Sequence, residues 1–393
     1  MEIRMSKIIP NKNKVNIKVI GVGGGGCNAV DHMSDETIEG VSFYGLNTDI
    51  QALTNKNIEH KIQIGESVSR GLGAGSVPEI GRLAAEESEE QIKDILTDTD
   101  MVFITAGMGG GTGTGAAPVV AKIAKDLGVL TVAIVTKPFS FENRTKAAMN
   151  GIDLLSEYCD CMLVIPNGNL TKINKDISLI DMFSEVDDVL LKSAKGIAEI
   201  ITKSSLVNVD FADVKKVMTF RGKAMLGMGF ATGENKIIDA TKNAIETPIL
   251  ETKTIKGAKG VLVNIVGDIN FSVTDLEDIG DLIRKEVDDD AIIITGLSID
   301  NEFDDGVRVT VVATDIDESL EDEEYFFKKD IDKLENRSFK NRDSEIKVEE
   351  SNVTTKSNTF NPNLKSPSKE EKPEGNGKSD ILDIPAFLRK QSK

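Results

Sequence analysis

Short apolar runs and helical patterns alternate through the first half of the chain. The apolar runs cover 15–20, 41–46, 101–104, 129–135 and 161–165. Strands that are buried on both faces are apolar throughout, so these runs predict the strands of a parallel sheet. Helical segments between them, such as 79–96 and 117–127, predict right-handed crossover connections. We therefore predict an α/β fold whose first domain, at 15–176, is Rossmann-like.

A long helix follows, and a second set of strands begins after it. Over 177–202 apolar residues recur at helical spacing, namely Ile180, Phe183, Val186, Leu190, Ala194, Ile197 and Ile201. A helix with so little polar surface is expected to lie between two packed units. Apolar runs at 260–267, 291–296 and 307–313 then predict a smaller α/β domain, with a helix at 274–286. The predicted boundaries are 177–206 for the central helix and 207–317 for the C-terminal domain.

The composition differs at the two ends of the chain. Residues 1–14 form a short polar arm, and from 318 to 379 Glu, Asp, Lys, Asn, Ser and Pro predominate, which is typical of a disordered linker. In the last segment, 380–393, Ile384, Phe387 and Leu388 fall at i, i+3 and i+4. A short amphipathic helix on a long tether has no core to join, so this segment is predicted to dock into a partner's groove. The alternative is a frayed tail.

The charge balance narrows the classes of partner. The 393 residues carry a formal net charge of −18, which argues against a nucleic-acid or anionic-membrane surface. The first residues lack the apolar region of a signal peptide, and no apolar run reaches the roughly 18 residues that span a bilayer. We expect a soluble, cytoplasmic protein without direct membrane insertion. Cys159 and Cys161 have no further Cys or His nearby, so packing explains them better than a metal site.

Three glycine-rich segments each precede a predicted helix, and two of them directly follow a predicted strand. The central one, MVFITAGMGGGTGTGAAP at 101–118, has glycine at 107, 109, 110, 111, 113 and 115, and its helix is expected from Ala116. The others lie at 21–26 and 71–75. Glycine permits close ligand approach and a helix start directs free N–H groups at an anion, so the three loops are predicted to converge on one polyphosphate. The alternative is a set of tight turns without a ligand.

The phosphates would be held without a fixed lysine, because the chain contains no G-x-x-x-x-G-K-[ST] sequence. The loop at 21–26 also fits a different ligand. Gly21, Gly23 and Gly26 satisfy G-x-G-x-x-G, and Asp49 follows about twenty residues later, as in dinucleotide-binding folds. An NAD-dependent oxidoreductase is therefore an open alternative, although no acid or base for hydride transfer is evident. Asn47 and Asp49 lie where a strand ends and either contact the ligand or form an ordinary turn.

Two further sets of residues could carry chemistry. Phe183 can stack on a flat base, and the carboxylate of Asp188 can accept two donors from guanine, N1–H and the 2-amino group, a pair that adenine lacks. The alternative is a core Phe and a solvated Asp. Asp210 and Asp213 lie three residues apart and share a face if a helix begins there. Asp210 is then either a helix N-cap or a group that orients a water or a cation.

Two motifs identify the family that these residues resemble. The run GMGGGTGTG at 107–115 resembles the glycine-rich motif of the tubulin/FtsZ superfamily, and LDIPAFLRKQ at 382–391 is similar to the C-terminal peptide of its bacterial branch. The resemblance covers 15–316 and the tail. It implies the tubulin/FtsZ fold and a GTPase that polymerises head to tail into filaments of the division ring at mid-cell. It also implies GTP or GDP with Mg²⁺ as ligands, and tethering or regulatory division proteins as partners of 380–393.

The resemblance gives each site residue a role by position. The implied GTP-binding residues are Gly24, Gly25, Gly26, Cys27, Asn28, Asn47, Asp49, Gly73, Ala74, Gly75, Gly107, Gly109, Gly110, Gly111, Thr112, Gly113, Thr114, Glu142, Arg144, Asn167, Phe183 and Asp188. Segment 73–75 would lie near the γ-phosphate, and Asn167 would join Phe183 and Asp188 at guanine. Glu142 and Arg144 would meet the ribose and phosphates. Asn208, Asp210 and Asp213 would be the catalytic residues and would reach the nucleotide of the neighbouring subunit.

Three positions depart from the family's pattern. Cys27 stands where the family has glycine, Asn167 lacks the Asp and Lys that usually follow, and the segment after Glu142 is two residues shorter. Arg144 matches the family's arginine when counted from the following helix, and Lys146 matches it when counted from Glu142, so either could contact the nucleotide. A nucleotide-binding scaffold without hydrolysis is a further alternative. Because the glycine loops carry no carboxylate, hydrolysis would need a group that assembly delivers.

Overall fold

The structure is a computed structural model that describes residues 15–34, 38, 40–173, 178–203, 205–220, 224–247, 249–252, 254–300, 303 and 305–316. The predicted arm at 1–14, the linker at 318–379 and the tail segment at 380–393 lie outside these residues. Among the helices of the described part, none combines the length and the apolarity that a bilayer crossing requires.

Six parallel strands form the first sheet. They are β1 (Ile17–Val22), β2 (Val41–Asn47), β3 (His60–Gln63), β4 (Met101–Gly107), β5 (Leu130–Lys137) and β6 (Cys161–Pro166). The order is β3-β2-β1-β4-β5-β6, and every neighbouring pair is parallel. Five of the six strands were predicted from their apolar runs. The sequence pattern missed β3 because this edge strand is short and half-exposed, so it carries no apolar run.

Helices cover both faces of this sheet. They are α1 (Gly23–Ser34), α2 (Ile50–Thr54), α3 (Glu66–Ser69), α4 (Pro78–Glu87), α5 (Glu89–Leu96), α6 (Thr112–Asp126), α7 (Thr145–Ser156) and α8 (Asn167–Ile173). The prediction of one helix over 79–96 was wrong, because the segment divides at Ser88. The Ser88 backbone leaves the helical region, with φ −100° and ψ 20°, and its hydroxyl accepts a hydrogen bond from Gly65 N at 3.0 Å.

The predicted long helix is present as α9 (Leu179–Thr202). It begins at Ser178, whose side chain accepts a hydrogen bond from Asp181 N at 3.1 Å. One face packs on the first domain's elements α1 and β5. Toward its end, the carboxylate of Glu199 pairs with Arg308 at 3.5 Å. The helix thus contacts both the first sheet's layer and the second sheet.

The second sheet has four strands and mixed direction. Its elements are α10 (Phe211–Met218), β7 (Ala224–Thr232), α11 (Lys236–Ile245), β8 (Gly260–Gly267), α12 (Val273–Arg284), β9 (Ile292–Ile299) and β10 (Gly306–Thr314). The order is β7-β10-β8-β9, with β10 antiparallel to both β7 and β8. The sequence pattern missed β7 because glycines interrupt it. A side-chain carbon at Gly229 would lie 1.8 Å from Ala240 O, so glycine is needed for the approach of α11.

A short segment before β8 ties the second sheet to the first. The backbone N of Glu251 donates to Val164 O at 3.0 Å, and the Lys137 ammonium pairs with the Glu251 carboxylate at 2.5 Å. The side-chain amide of Asn169 donates to the carbonyls of Ile249 and Leu250, each at 3.2 Å. These contacts lie at the carboxyl ends of β5 and β6, next to the crevice described below.

Candidate functional site

The switch point of the first sheet lies between β1 and β4. These two strands are neighbours, and the strand order runs outward from them in opposite directions, as β1-β2-β3 and β4-β5-β6. The connections therefore leave a crevice at the carboxyl ends of β1 and β4, which is where ligands bind in open α/β sheets. The glycine segments at 23–26 and 107–111 both lie at this crevice, because each directly follows one of the two strands.

The two glycine segments touch each other. A side-chain carbon added to Gly25 would lie 3.3 Å from Cα of Gly107, and one added to Gly23 would lie 2.6 Å from the backbone N of Gly113. Gly23 also has a φ of 74°, a left-handed angle that L side chains rarely adopt. Glycine at these positions allows α1 and α6 to begin at the same crevice.

Both helices begin inside their glycine segments. Helix α6 starts at Thr112 rather than at Ala116, and α1 starts at Gly23, inside its glycine segment. Tertiary packing overrides the low helix propensity of glycine here: a side-chain carbon at Gly115, inside α6, would lie 1.9 Å from the carbonyl oxygen of Pro78. The predicted phosphate contacts therefore lie in first helical turns, whose N–H groups lack intrahelical acceptors and favour anions.

The crevice is open above its glycines. A side-chain carbon added to Gly24, Gly75 or Gly110 would meet no described atom within 4 Å. The third glycine segment closes one side. Its backbone N at position 73 donates to Thr48 O at 3.2 Å, and the methyl of Ala74 would lie 2.8 Å from a carbon added to Gly111. The structure thus brings the three glycine loops next to one another, with free space beside a glycine of each.

The threonines of the central segment have hydrogen-bond partners inside the protein. The hydroxyls of Thr112 and Thr48 lie 2.6 Å apart, and the Thr114 hydroxyl accepts a hydrogen bond from Gly109 N at 2.8 Å. Both threonines are buried. Their hydroxyls therefore fix the shape of the loop.

Asn47 and Asp49 form a turn at the end of β2. The carboxylate of Asp49 accepts a hydrogen bond from Ala52 N at 2.9 Å and thereby caps α2. The side-chain oxygen of Asn47, which is buried, accepts from Asp49 N at 3.3 Å. The turn also pairs with the third glycine segment through an isolated bridge between Asp49 and Leu72. The pair therefore has the structural role of a turn and also borders the crevice.

The side chain of Cys27 points away from the crevice. Its Sγ is buried and donates weak hydrogen bonds to the carbonyls of Gly21 and Leu46 at 3.5 and 3.6 Å. Burial raises the pKa of this thiol to about 12. The thiol is therefore protonated and packed inside the protein. Cys159 and Cys161 are also buried and unpaired with each other.

Glu142 and Arg144 lie in the turn after β5. Glu142 ends a short 3-10 helix, Ser140–Glu142, and its carboxylate accepts a hydrogen bond from Phe139 N at 2.9 Å. Arg144 lies against the central glycine segment, where a side-chain carbon at Gly109 would come within 3.0 Å of Arg144 Cβ. Lys146 is exposed in the first turn of α7. Of the two candidates, Arg144 is the one that the structure places against the central glycine segment.

Asn167 begins α8 and Phe183 lies on α9, and these two helices contact each other at the far end of the crevice. Asn167 is the first residue of α8 and is buried, yet its side-chain oxygen has no hydrogen-bond partner among the described residues. A buried polar atom without a partner is costly, so this oxygen fits a ligand donor. The Phe183 ring meets the Phe139 ring edge to face, with centroids 5.7 Å apart, and Phe139 stacks on Phe141 at 5.2 Å.

Asp188 lies on the same helix as Phe183 and contacts α1. Its Oδ1 is 2.5 Å from Nε2 of His32, and its Oδ2 is 3.9 Å from the ammonium of Lys192. The neighbouring Asp187 is half-buried, and burial raises the pKa of its carboxyl to about 7. The sequence interpretation missed His32 and Asp187. The signal for His32 was available, because Gly24, Asn28 and His32 follow one another at i, i+4 and i+8 on α1.

The predicted catalytic residues lie on the second sheet's side of the molecule. Asp210 caps α10, since its carboxylate accepts a hydrogen bond from Asp213 N at 2.8 Å, and the side-chain oxygen of Asn208 accepts from Ser205 N at 2.7 Å. All three residues are exposed. Helix α10 packs on β8 and β9, and Val207 bridges to Leu297 of β9. Asn208, Asp210 and Asp213 therefore lie beside the second sheet, whereas the glycine loops lie at the first.

Comparison with known proteins gives two matching family models. The GTPase domain of the Tubulin/FtsZ family matches residues 16–175, and the C-terminal domain of the FtsZ family matches residues 222–317. Among similar curated proteins, cell division protein FtsZ of Buchnera aphidicola subsp. Baizongia pistaciae is 47% identical over 392 residues, which covers 97% of this chain and 98% of that protein. Cell division protein FtsZ of Azotobacter vinelandii is 52% identical over 301 residues, 76% of each chain.

Two solved structures are similar to this chain. An empty FtsZ dimer from M. jannaschii superposes with a TM-score of 0.72 at 43% identity, covering 77% of this chain and 89% of that one. CetZ2 from Haloferax volcanii, solved as a protofilament with GTPγS, superposes with a TM-score of 0.68 at 19% identity, covering 82% of this chain and all of that one. The second likeness is one of fold alone.

Proposed function

The chain belongs to the FtsZ branch of the tubulin/FtsZ family, and from this membership we propose that it hydrolyses GTP at the contacts between successive copies in a head-to-tail filament. It is a tubulin-like GTPase of cell division with the tubulin/FtsZ fold. The oxidoreductase suggested by the fingerprint at 21–26 is therefore wrong, and so is the scaffold without hydrolysis. The fingerprint arises because both families place a glycine turn and a helix start at a sheet's switch point.

The separation of the cradle from the carboxylates is the observation that carries this proposal. The glycine loops at 23–26, 73–75 and 107–111 present backbone N–H groups and open space but no acidic or basic side chain. GTP hydrolysis needs a group that positions the attacking water. Asp210 and Asp213 are exposed on the second sheet's side, where such a group can meet the γ-phosphate of another copy. We therefore assign these two carboxylates, with Asn208, to the neighbouring subunit's nucleotide.

Exposed apolar side chains flank both halves of the proposed contact. Near the glycine loops, Ile50, Leu72 and Val77 are 49%, 84% and 45% exposed. Near the ends of β8 and β9, where Val207 also pairs, Leu206 is 75% and Ile269 is 76% exposed. A heterologous contact between two different apolar surfaces generates an open filament when its rotation does not close a ring. Both sets would be buried in the head-to-tail contact.

Within the cradle, we propose that residues 24–28 and 111–113 bind phosphates and that Ala74 and its flanking glycines approach the γ-phosphate. Asn167 would donate or accept at guanine, Phe183 would stack on it, and Asp188 would accept its N1–H and 2-amino groups. Glu142 and Arg144 would meet the ribose and the phosphates. The arrangement selects guanine because adenine offers Asp188 no such donor pair.

Mg²⁺ is expected to enter with the nucleotide. The described residues contain no group of three or more His, Cys, Asp or Glu side chains that could hold a metal. Mg²⁺ characteristically keeps several waters and binds substrate phosphates, so the open space above Gly24 and Gly110 suits a hydrated, phosphate-bound ion. When bound there, the ion would neutralise charge that develops on the phosphates.

We further propose that the protein acts at the mid-cell division ring in the cytoplasm and that 380–393 binds membrane-tethering or regulatory division proteins. The proposed domain boundaries are 15–176, 177–206 and 207–317, with 1–14 as an arm and 318–379 as a linker. The spacing of Ile384, Phe387 and Leu388 supports the tail assignment, because a helix formed on a partner would carry all three on one face.

A GTPase assay against protein concentration, with light scattering in parallel, tests the central proposal. A site built from two copies predicts negligible specific activity below a threshold concentration and a rise above it, at the concentration where scattering appears. An activity that is strictly proportional to protein concentration from the lowest concentration would place a complete site in one chain and would contradict the proposal.

A further inference from the structure

An edge strand of the second sheet holds the segment that carries the proposed catalytic residues. In the part of the chain that the structure describes, β9 is the last strand of its sheet and pairs with β8 along one side. On its other side, the backbone N of Val207 donates to Leu297 O at 3.1 Å, and Leu297 N donates to Val207 O at 3.2 Å. These two bonds form an isolated antiparallel bridge. The chain between α9 and α10 is therefore attached to β9 immediately before Asn208.

The residues after this bridge alternate between the protein interior and solvent. Val209 is half-buried and packs against the core, whereas Asn208 and Asp210 on either side of it are exposed. Asp210 has extended backbone angles, with φ −81° and ψ 156°. In an extended chain, successive side chains point to opposite sides. The inward position of Val209 therefore sets the outward direction of the Asn208 and Asp210 side chains.

Gly296 of β9 lies against Val209. A side-chain carbon added to Gly296 would lie 3.0 Å from Cγ2 of Val209 and 3.6 Å from Val207 O. Non-bonded carbon atoms pack at about 3.5–4.0 Å, so a side chain at position 296 would displace Val209 by about 0.5 Å or more. The φ of Gly296 is outside the left-handed range, so its backbone angle does not require glycine. Glycine at this position therefore affects the placement of Val209.

We propose that Gly296 is a positioning residue for GTP hydrolysis. It positions Val209, and Val209 sets the direction in which Asn208 and Asp210 project toward the nucleotide of the neighbouring subunit. The carboxylate of Asp210 also caps α10 by accepting a hydrogen bond from Asp213 N at 2.8 Å, so a displaced Asp210 would displace Asp213 with it. The proposal rests on the proposed function, specifically on Asn208, Asp210 and Asp213 as the catalytic residues. Gly296 is buried and acts through Val209.

The test measures GTP turnover by the full chain at saturating GTP, divided by the assembled fraction from sedimentation, together with the KM for GTP. Gly296→Ala should lower this turnover about tenfold and change KM less than about twofold, because the carboxylates are displaced while the phosphate cradle is intact. GDP binding, measured by titration calorimetry, should be unchanged. The urea midpoint should not fall, since alanine in place of glycine lowers the conformational entropy of the unfolded chain.

A second substitution shows whether the effect acts through Val209. Val209→Ala removes the atom that the new methyl group would meet, so in that background Gly296→Ala should change turnover by less than about twofold. Gly280→Ala is the matched control, because a side-chain carbon added there meets no described atom within 4 Å, and it should leave turnover unchanged. Full turnover in Gly296→Ala would overturn the proposal, and so would an undiminished tenfold loss in the Val209→Ala background.

Asp210→Ala and Asp213→Ala separate this proposal from the proposed function. Both should bind GDP normally and show negligible turnover per assembled chain. If they do so while Gly296→Ala is fully active, the positioning role is wrong and the catalytic assignment stands. If both keep full turnover, the catalytic assignment fails, and the role of Gly296 fails with it. A loss in Gly296→Ala that only follows its assembled fraction would show an effect on the subunit contact and would also overturn the positioning role.

Discussion

Asp187→Asn is expected to change how the stability of the protein depends on pH. Asp187 lies on α9 beside Asp188, and burial raises its pKa from 3.8 to about 7. The Asp188 and Asp31 carboxylates add to the rise, and His32 and Lys56 partly oppose it. A carboxyl whose pKa is higher in the folded state binds its proton more tightly there. It therefore stabilises the fold at low pH, and this stabilisation is lost as the pH rises through about 7.

The size of the effect follows from the two pKa values. With a pKa of 3.8 unfolded and about 7 folded, the proton on Asp187 contributes about 2 kcal/mol more to the free energy of unfolding at about pH 5 than at about pH 7. Asparagine has a similar shape and does not titrate. The stability of Asp187→Asn relative to the unchanged chain should therefore increase by about 2 kcal/mol between these pH values and stay constant above about pH 8.

Urea denaturation followed by far-UV circular dichroism measures this difference, since the chain has no tryptophan for fluorescence. Each titration is run at a fixed, saturating GDP concentration for both proteins. Lys192→Ala is the matched control, because it changes a charge on the same helix and leaves both carboxyls in place. A difference between Asp187→Asn and the unchanged chain that does not vary from about pH 5 to about pH 7 would refute the assigned burial effect.

Three further outcomes follow from the structure. Gly23→Ala should lower the free energy of unfolding by roughly 2 kcal/mol or more and abolish GDP binding, because the new side-chain carbon would lie 2.6 Å from Gly113 N at a φ of 74°. The control Gly128→Ala, with a φ of 75° and open space around it, should cost about 1 kcal/mol and keep GDP binding, measured for both variants by titration calorimetry. Asn169→Ala removes hydrogen bonds to the carbonyls of Ile249 and Leu250 and should lower the urea midpoint by the equivalent of about 1–3 kcal/mol; an unchanged midpoint would show that this tie between the sheets carries no stability. Deleting 380–393 should leave GTPase activity and light scattering unchanged and abolish pull-down of division proteins that a synthetic 380–393 peptide competes away; loss of scattering would contradict the separate role of the tail.

Periodicity predicted the elements that are buried on both faces. The strands β1, β4, β5 and β6 and the long helix α9 follow from uninterrupted or helically spaced apolar residues, since these patterns depend on burial alone. The edge strand β3 and the strand β7 were not predicted, each for a different reason. The first is half-exposed, and the second contains glycines that are required by the close approach of α11. Neither requirement is visible in a single chain's hydrophobic pattern.

The glycine loops show what sequence can and cannot give about a site. The positions of two loops, directly after β1 and β4, were predicted, because a strand followed by glycines and a helix is a local pattern. The helix starts at Gly23 and Thr112 were not predicted, because glycine has low helix propensity and only the packing of neighbouring backbone holds it helical. His32 and Asp188 are 156 residues apart in sequence, so their contact could be found only after α1 and α9 were packed together.

The most direct test of the central claim mixes two inactive variants. Asp213→Ala keeps the phosphate cradle and loses a carboxylate, whereas Gly110→Asp places a negative charge in the open cradle and keeps Asp213. Gly110 has no described neighbour within 4 Å of an added side-chain carbon, so this variant should still fold. If the site is built from two copies, each variant alone is inactive, and an equimolar mixture recovers up to about a quarter of the unchanged activity, the share of contacts that pair an intact cradle with an intact carboxylate. A mixture that stays as inactive as its components would contradict the account.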